Sequence, residues 1–435
     1  MKKNIGVIGL WHLGCTIAAS WAKLGYKVKG FDFDAARIEK LNKGIPQIYE
    51  PGLKETIEDS LKNNTLSFTA NIQDLKDSNF IFLAYDTPVR DDDSCDTDIL
   101  LNSIRSVRYV AKNDSIIIVS SQSPVGFCAE LRNVLHETNN SIELAYSPEN
   151  LRLGEAINCY LNPGRIILGT ASAKTEEDCC RLFNDITKNI LCMNLESAEM
   201  VKHGINSFLA TSIVFTNHLA DICEKYGAQI DNVVKGMKSD ERIGAKAYLS
   251  AGIGFSGGTL GRDLKILSEK NDQNKGYAKL FKMILNFNKE RKQSIISKIE
   301  SILGDLGSKK IGVLGLTYKP NTSTLRRSLP LEIVTGLMRK KASLCVYDPK
   351  ADYSELSYQP EFIKKHSIKD LSMKADLLLL LTEWPEFGEF DWSSIIDLMS
   401  SPNFFDTKNY LNEAKMKRIG FKYYSIGRFH SDPEG

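Results

Sequence analysis

The chain has 435 residues, with 56 lysines and arginines nearly balanced by 54 aspartates and glutamates. That length exceeds one compact core and points to two or three domains, while the even charge argues against a generally basic nucleic-acid-binding surface. Nine cysteines without C-x-x-C spacing fit reduced cytosolic thiols better than a disulfide framework. The N-terminal "MKKNIGVIGLW" lacks the long apolar region and cleavage site of a signal peptide. Apolar runs such as Leu377–Leu381 are far short of a membrane span. A soluble cytoplasmic protein is the expectation.

In chain order, "KKNIGVIGLWHLG" is an apolar strand running into a glycine-bounded turn. Gly9 and Gly14 stand at the ends of a six-residue dinucleotide fingerprint, with Leu10, Trp11, His12 and Leu13 between them. Trp11 occupies the place of the middle glycine, which would let the backbone approach a pyrophosphate. The next strand, "YKVKGFDFD", closes on Asp32, 23 residues beyond Gly9. An acidic side chain there can accept from both ribose hydroxyls and repels a 2′-phosphate, which favours NAD over NADP. Arg37 could reach the adenine-side ribose or phosphate, or equally be a solvated helix charge. "DSNFIFLAYDTP" is a third apolar strand.

The middle of the chain is helical in pattern. Val201, Ile205, Phe208, Leu209 and Ile213 are spaced for one helix that closes at Gly227. A second long helix is expected in "YAKLFKMILNFNKERKQSIISKIESILG". The opening strands then recur: "KKIGVLGLTYKP", "SLCVYDPKA" ending its strand on Asp348, and "KADLLLLLTEWP" follow in the same order. Near-continuous apolar strands alternating with helical stretches predict buried parallel sheets. The expected fold is α/β: two Rossmann-like, doubly wound domains, 1–196 and 301–435, joined by a central long-helix region, 197–300.

The order of motifs resembles the UDP-glucose/GDP-mannose dehydrogenase family along essentially the whole chain. "GIPQIYEPGL", the Thr87–Pro88 turn, "SPENLR", "NPGRIILG", "VKHGINSFLAT", "DERIG", "YKPNTSTLRRS", "YDP" and "TEWPEF" are similar to family segments and follow in family order. The resemblance implies an NAD-dependent oxidoreductase that converts the C6 alcohol of a nucleotide sugar to a carboxylate, commonly a UDP sugar for surface polysaccharides. It implies that Lys202, Asn206, Asp263 and Glu149 line the reaction site. Lys202 and Asn206 are four residues apart and share a helix face, and Asp263 would orient Lys202 or a water. The cofactor side would comprise Gly9–Gly14, Asp32, Arg37, Thr87, Gln122 and Arg262. The nucleotide sugar would meet Glu149, Leu151, Arg152, Phe255 and Gly257, with Lys319, Arg326 and Arg242 on the diphosphate. Arg242 would reach across from a partner subunit, because the family usually forms homodimers through its central helices.

The departures from the family cluster at the chemistry. Where the family pattern reads G-F-G-G-S-C-F-P-K-D, this chain reads "GFSGGTLGRD". Thr259 replaces the nucleophilic cysteine and Arg262 the lysine. Gln122 stands at the place of a catalytic threonine and Leu153 at that of a second glutamate. Trp11 and His12 replace the usual glycine and tyrosine. Oxidising an aldehyde requires a nucleophile to add first, a step suited to a thiolate and poorly to a threonine hydroxyl. The expectation is therefore a two-electron oxidation that stops at a carbonyl, with Thr259 bonding a sugar hydroxyl. The alternatives are a four-electron route through a hydrated aldehyde, and a non-catalytic nucleotide-sugar-binding protein. A β-hydroxyacid dehydrogenase would not need the domain at 301–435. The six histidines show no metal-ligand spacing, so no metal is expected.

Overall fold

A computed structural model of the chain describes residues 2–85, 97–148, 151, 154–256, 258–269, 277–356 and 360–428. The chain divides into two units, Met1–Ile205 and Asn206–Gly435. In the first, the apolar runs form β1 (Asn4–Ile8), β2 (Lys27–Phe31), β3 (Leu66–Thr69), β4 (Phe80–Leu83) and β5 (Ile116–Val119). With β6 (Glu143–Tyr146), β7 (Ile166–Thr170) and β8 (Ile190–Met193) they make one sheet, ordered β3-β2-β1-β4-β5-β6-β7-β8. Every residue of β4 and β5 is buried, as parallel strands covered on both faces require.

The first connecting helices are α1 (His12–Lys23), α2 (Ala35–Asn42), α3 (Leu53–Lys62) and α4 (Asp98–Val107). They are followed by α5 (Phe127–His136), α6 (Ala156–Leu161) and α7 (Ala173–Phe183). The reading of uniformly parallel strands fails at one place: β7 runs antiparallel to β6, with Tyr146 opposite Gly169. The short α6 packs on α1 rather than running the length of the sheet, so the chain re-enters from the end it left. Trp21 fixes that packing. Its fully buried indole donates to the Tyr160 hydroxyl at 2.8 Å and lies among Tyr26, Phe82 and Phe183.

Two glycines shape the turn between β1 and α1. Gly9 has φ +89°, a left-handed conformation that side chains rarely adopt. A Cβ on Gly14 would fall 1.7 Å from the Gly9 carbonyl oxygen, so α1 can start this close to the strand only without one. After β8, helix α8 (Leu195–Tyr226) continues for 32 residues and stops at Gly227, whose φ is +75°.

The second unit repeats the plan. Strands β9 (Lys310–Leu314), β10 (Ser343–Tyr347) and β11 (Ile363–Lys364) pair with β12 (Leu377–Leu380), β13 (Asn403–Asp406) and β14 (Lys422–Ser425). The sheet is parallel throughout, ordered β11-β10-β9-β12-β13-β14. The echoed sequence runs thus take matching places, β1, β2 and β4 in one sheet and β9, β10 and β12 in the other. Before this sheet come α9 (Ile230–Ser239), α10 (Leu260–Glu269) and α11 (Tyr277–Leu303), and α12 (Leu329–Arg339) follows β9. Ala210, Ile213, Val214, Phe255, Leu264 and Ile284 form a core that holds α10 and its leading loop to α8 and α11. The fold is α/β, with two Rossmann-like domains joined by α8.

Candidate functional site

The first unit assembles its cofactor-side residues around the β1–α1 turn. Asp32, at the end of β2, is buried; its Oδ2 accepts from the Leu10 amide at 2.8 Å and from Arg37 Nη1 at 2.7 Å. Its Oδ1 accepts from the Asp34 amide at 3.0 Å. Arg37 is therefore not simply a solvated charge. Its guanidinium also lies 5.4 Å from the centroid of the Trp11 ring, a cation–π contact. Trp11 precedes α1 with φ −92°, a conformation open to any residue, and its indole is 38% exposed. The turn does not require glycine there by backbone geometry; the substitution places a side chain where the fingerprint leaves space. Leu13 is buried in the core beneath the turn.

His12 turns inward, its Nε2 lying 2.9 Å from the buried carboxylate of Glu50. Glu50 also accepts from the amides of Gly154 at 3.0 Å and Ala156 at 2.8 Å, tying the turn to the chain entering α6. The role of Glu50 was not read from the sequence, although an acid within the apolar, proline- and glycine-bounded "IPQIYEPG" was an available signal.

A second buried carboxylate organises the segment containing Gln122. Glu199 of α8 is fully buried and accepts from the amides of Gly126 at 2.6 Å and Cys128 at 2.8 Å, and from the Ser123 hydroxyl at 3.4 Å. It thus supplies acceptors to the open amides at the start of α5, where a negative charge is favoured. One turn along α8, His203 donates from Nε2 to the Ser123 carbonyl at 2.9 Å. His203 is structural, on a different side from Lys202 as its sequence position implies. Burial, and then Glu199 itself, hold the Cys128 thiol well above its ordinary range. Lys202 is buried on α8 between these two clamps. Half-buried Leu151 packs on the core; Glu149, Arg152, Thr87 and Gly257 lie outside the described residues.

In the second unit, Asn206 of α8 donates from Nδ2 to Oδ2 of the fully buried Asp263. Buried Arg262 brings Nε to 3.8 Å from the other oxygen of Asp263. The Asp263 amide donates to the Thr259 carbonyl at 3.2 Å, the first bond of α10. Thr259 consequently holds the N-cap position, a place that favours threonine on structural grounds alone. The preceding loop is pinned by residues not picked out in the sequence. Asn288 accepts from the Phe255 amide at 2.8 Å and donates to its carbonyl at 2.9 Å. Asn217 accepts from the Gly252 amide at 2.8 Å, and Arg291 donates to the Gly252 carbonyl at 2.9 Å. Phe255 is buried in the α8–α10–α11 core with both backbone groups bonded to Asn288.

Arg242 forms an ion pair with Asp240 at 2.7 Å on a side chain that is 89% exposed. Glu355, beyond β10, accepts from the Thr324 hydroxyl and from the amides of Leu325 and Arg326 in the β9–α12 loop, at 2.7–3.1 Å. This fixes the turn that presents Arg326, whose side chain is exposed; Lys319 is half-buried beside Tyr318. The counterpart of Asp32, Asp348, is occupied differently. It accepts from the amides of Leu316, Thr317, Lys350 and Ala351, and from the side chains of Thr317 and Trp384. One domain position thus holds a carboxylate paired with an arginine that in turn lies over an indole, while its echo spends the carboxylate on fastening loops.

Family models cover most of the chain. That for the NAD binding domain of the UDP-glucose/GDP-mannose dehydrogenase family matches residues 3–187. The central-domain model matches 196–290 and the UDP binding domain model 312–413. The chain belongs to the UDP-glucose/GDP-mannose dehydrogenase family. As a member it is an NAD-dependent oxidoreductase acting on a nucleotide sugar. The UDP-glucose 6-dehydrogenase of Rickettsia bellii is 34% identical over 431 residues, covering 98% of this chain and 99% of that protein. UDP-glucose 6-dehydrogenase YwqF of Bacillus subtilis is 32% identical over 437 residues, covering 99% of each. Among solved structures, a UDP-glucose dehydrogenase from Pyrobaculum islandicum superposes with a TM-score of 0.88 at 25% identity, covering 99% of this chain and 98% of that one. The β1–α1 turn fits NAD: a left-handed Gly9, a Gly14 with no room for a Cβ, and Asp32 at the end of β2. Among the described residues no helix is long and apolar enough to cross a membrane, and no three metal-ligating side chains come together.

Replacing Glu199 with alanine leaves the buried Cys128 amide and the half-buried Gly126 amide without their acceptor. The expected loss is about 3 kcal/mol of unfolding free energy, at roughly 1–3 kcal/mol for each unsatisfied group. Urea unfolding of the variant measures it, and an unchanged midpoint would show that α5 does not depend on this cap.

Proposed function

We propose that this enzyme removes two electrons from a hydroxyl of a nucleotide sugar, a UDP sugar first, and releases a carbonyl product. The observation that carries this reading is Thr259 at the head of α10, at the place where the family's loop has cysteine. The sequence contains no cysteine between Cys223 and Cys345. A threonine hydroxyl is too weak an acid to add readily to an aldehyde, so the intermediate required for a second hydride loss is not formed.

Bound NAD supplies the hydride acceptor. Lys202 takes the proton from the reacting hydroxyl as the C–H hydride departs. Asn206, held in one orientation by Asp263, turns its amide toward the charge developing on the oxygen. Thr259 bonds a sugar hydroxyl, with Glu149, Leu151, Arg152 and the Gly257 backbone around the hexose. Asp32 and Arg37 hold the adenine-side ribose, with Trp11, His12, Thr87, Gln122 and Arg262 completing the cofactor side. Lys319 and Arg326 meet the diphosphate, and Arg242 reaches the site of a second subunit. The division 1–196, 197–300 and 301–435 assigns these tasks to a cofactor domain, a central helical domain and a UDP domain.

A second reading, four-electron oxidation through a hydrated aldehyde, draws on the relatives named UDP-glucose 6-dehydrogenase. Incubation with NAD and a panel of UDP and GDP sugars, followed by NADH absorbance, separates the two. The proposal expects one NADH per sugar consumed and at least a hundredfold loss for Lys202→Ala, within the ~10²–10⁴ range of positioned acid–base catalysis. Two NADH per sugar supports the second reading.

The enzyme acts as a homodimer in this account. Phe208, Phe215, Ile222 and Tyr226 are all exposed on α8. Their spacing of seven, seven and four residues lines them along one helix face, an apolar stripe suited to a second copy. Phe215→Glu should move the protein from dimer to monomer in sedimentation equilibrium; a monomeric wild type would refute the arrangement.

A further inference from the structure

Away from the site residues, the first unit brings two thiols together. Cys180 Sγ and Cys192 Sγ lie 3.5 Å apart, which is contact distance for two sulfurs. Cys180 lies on α7 and is half-buried; Cys192 is exposed on β8, the edge strand of the eight-stranded sheet. The pair bridges the helix and strand of a single β7–α7–β8 crossover, two covalently close elements whose packing already sets the separation. A disulfide there needs little backbone movement.

The neighbouring Cys179 is not the partner. It is buried in the main core of the unit, and burial holds its thiol far above the ordinary range. Cys192 differs in being open to reagents. Burial of its sulfur, and then Cys180 and Glu176, push it up to about 12. Cys192 is thus the exposed sulfur of the pair, and half-buried Cys180 is the one in contact with it.

We propose that Cys180 and Cys192 form a reversible dithiol–disulfide site, closed by hydrogen peroxide or by exchange with a small disulfide. With peroxide, the thiolate of one of the pair attacks one oxygen and becomes a sulfenic acid as hydroxide leaves, which takes up a proton to form water. The other sulfur then attacks the sulfenic sulfur; its proton and the departing hydroxide form a second water. Two thiols and one peroxide give one disulfide and two waters. The bond would lie just before Leu195, where α8 begins, so it would restrain the entry to the helix that carries Glu199 and Lys202.

The test uses the full-length protein, reduced and then treated with hydrogen peroxide or diamide. The expected result is loss of two of the nine thiols and a joined pair of tryptic peptides, Thr175–Arg181 with Asn189–Lys202, linked through Cys180. Dithiothreitol should restore both thiols. Cys180→Ser and Cys192→Ser should each abolish the joined peptide, and fragmentation of the wild-type peptide assigns the link even where a variant fails to fold. A bond through Cys179, a bond between two chains, or separate overoxidation of both sulfurs would overturn the proposal.

Discussion

One buried carboxylate fixes the start of α10. Asp263 is shut away from solvent, and an ionised carboxyl in that position must be satisfied by the protein around it. Asn206 and Arg262 meet it, and its own amide closes the first turn of α10. That arrangement sets where α10 starts, and the start of α10 sets where Thr259 stands. Thr259 is thus located at the N-cap position of α10 by a structural need.

Other carboxylates, buried Glu50 and Glu199 among them, perform a similar service, each by collecting backbone amides from a loop. Glu50 joins the β1–α1 turn to the approach of α6, Glu199 joins the Gln122 segment to α8, and Glu355 fixes the turn before Arg326. Asp348 closes the corresponding turn in the second sheet. Loops that hold ligands cannot rely on ladder bonds, so their shape comes from such anchors. Where two strands echo each other in sequence, the acid at their ends need not do the same work. Asp32 is joined to Arg37 and faces the turn bearing Trp11, whereas Asp348 is committed to its own loops.

Much of the fold was legible because its signals are local. The runs that became β1, β2 and β4, and their counterparts β9, β10 and β12, are apolar over consecutive residues, and Gly227 marks the end of α8 by needing a left-handed backbone. The reversal of β7 was not legible, because it depends on where α6 packs rather than on the composition of the strand. The anchors were also missed. Glu50 meets Gly154 across 104 residues and Glu199 meets Gly126 across 73, and a single sequence carries no sign of either pairing. The packing of Phe255 is hidden for a related reason: its ring joins a core made by α8, α10 and α11, whose residues are distant from it in the sequence.

The central claim concerns where oxidation stops, and the product answers it directly. Mass spectrometry of the sugar nucleotide after exhaustive turnover with excess NAD distinguishes the outcomes. This account predicts a product lacking two hydrogens relative to its substrate, together with its hydrate, and trapped as an oxime by hydroxylamine. A product that has also gained a carboxylate oxygen and resists hydroxylamine would contradict it.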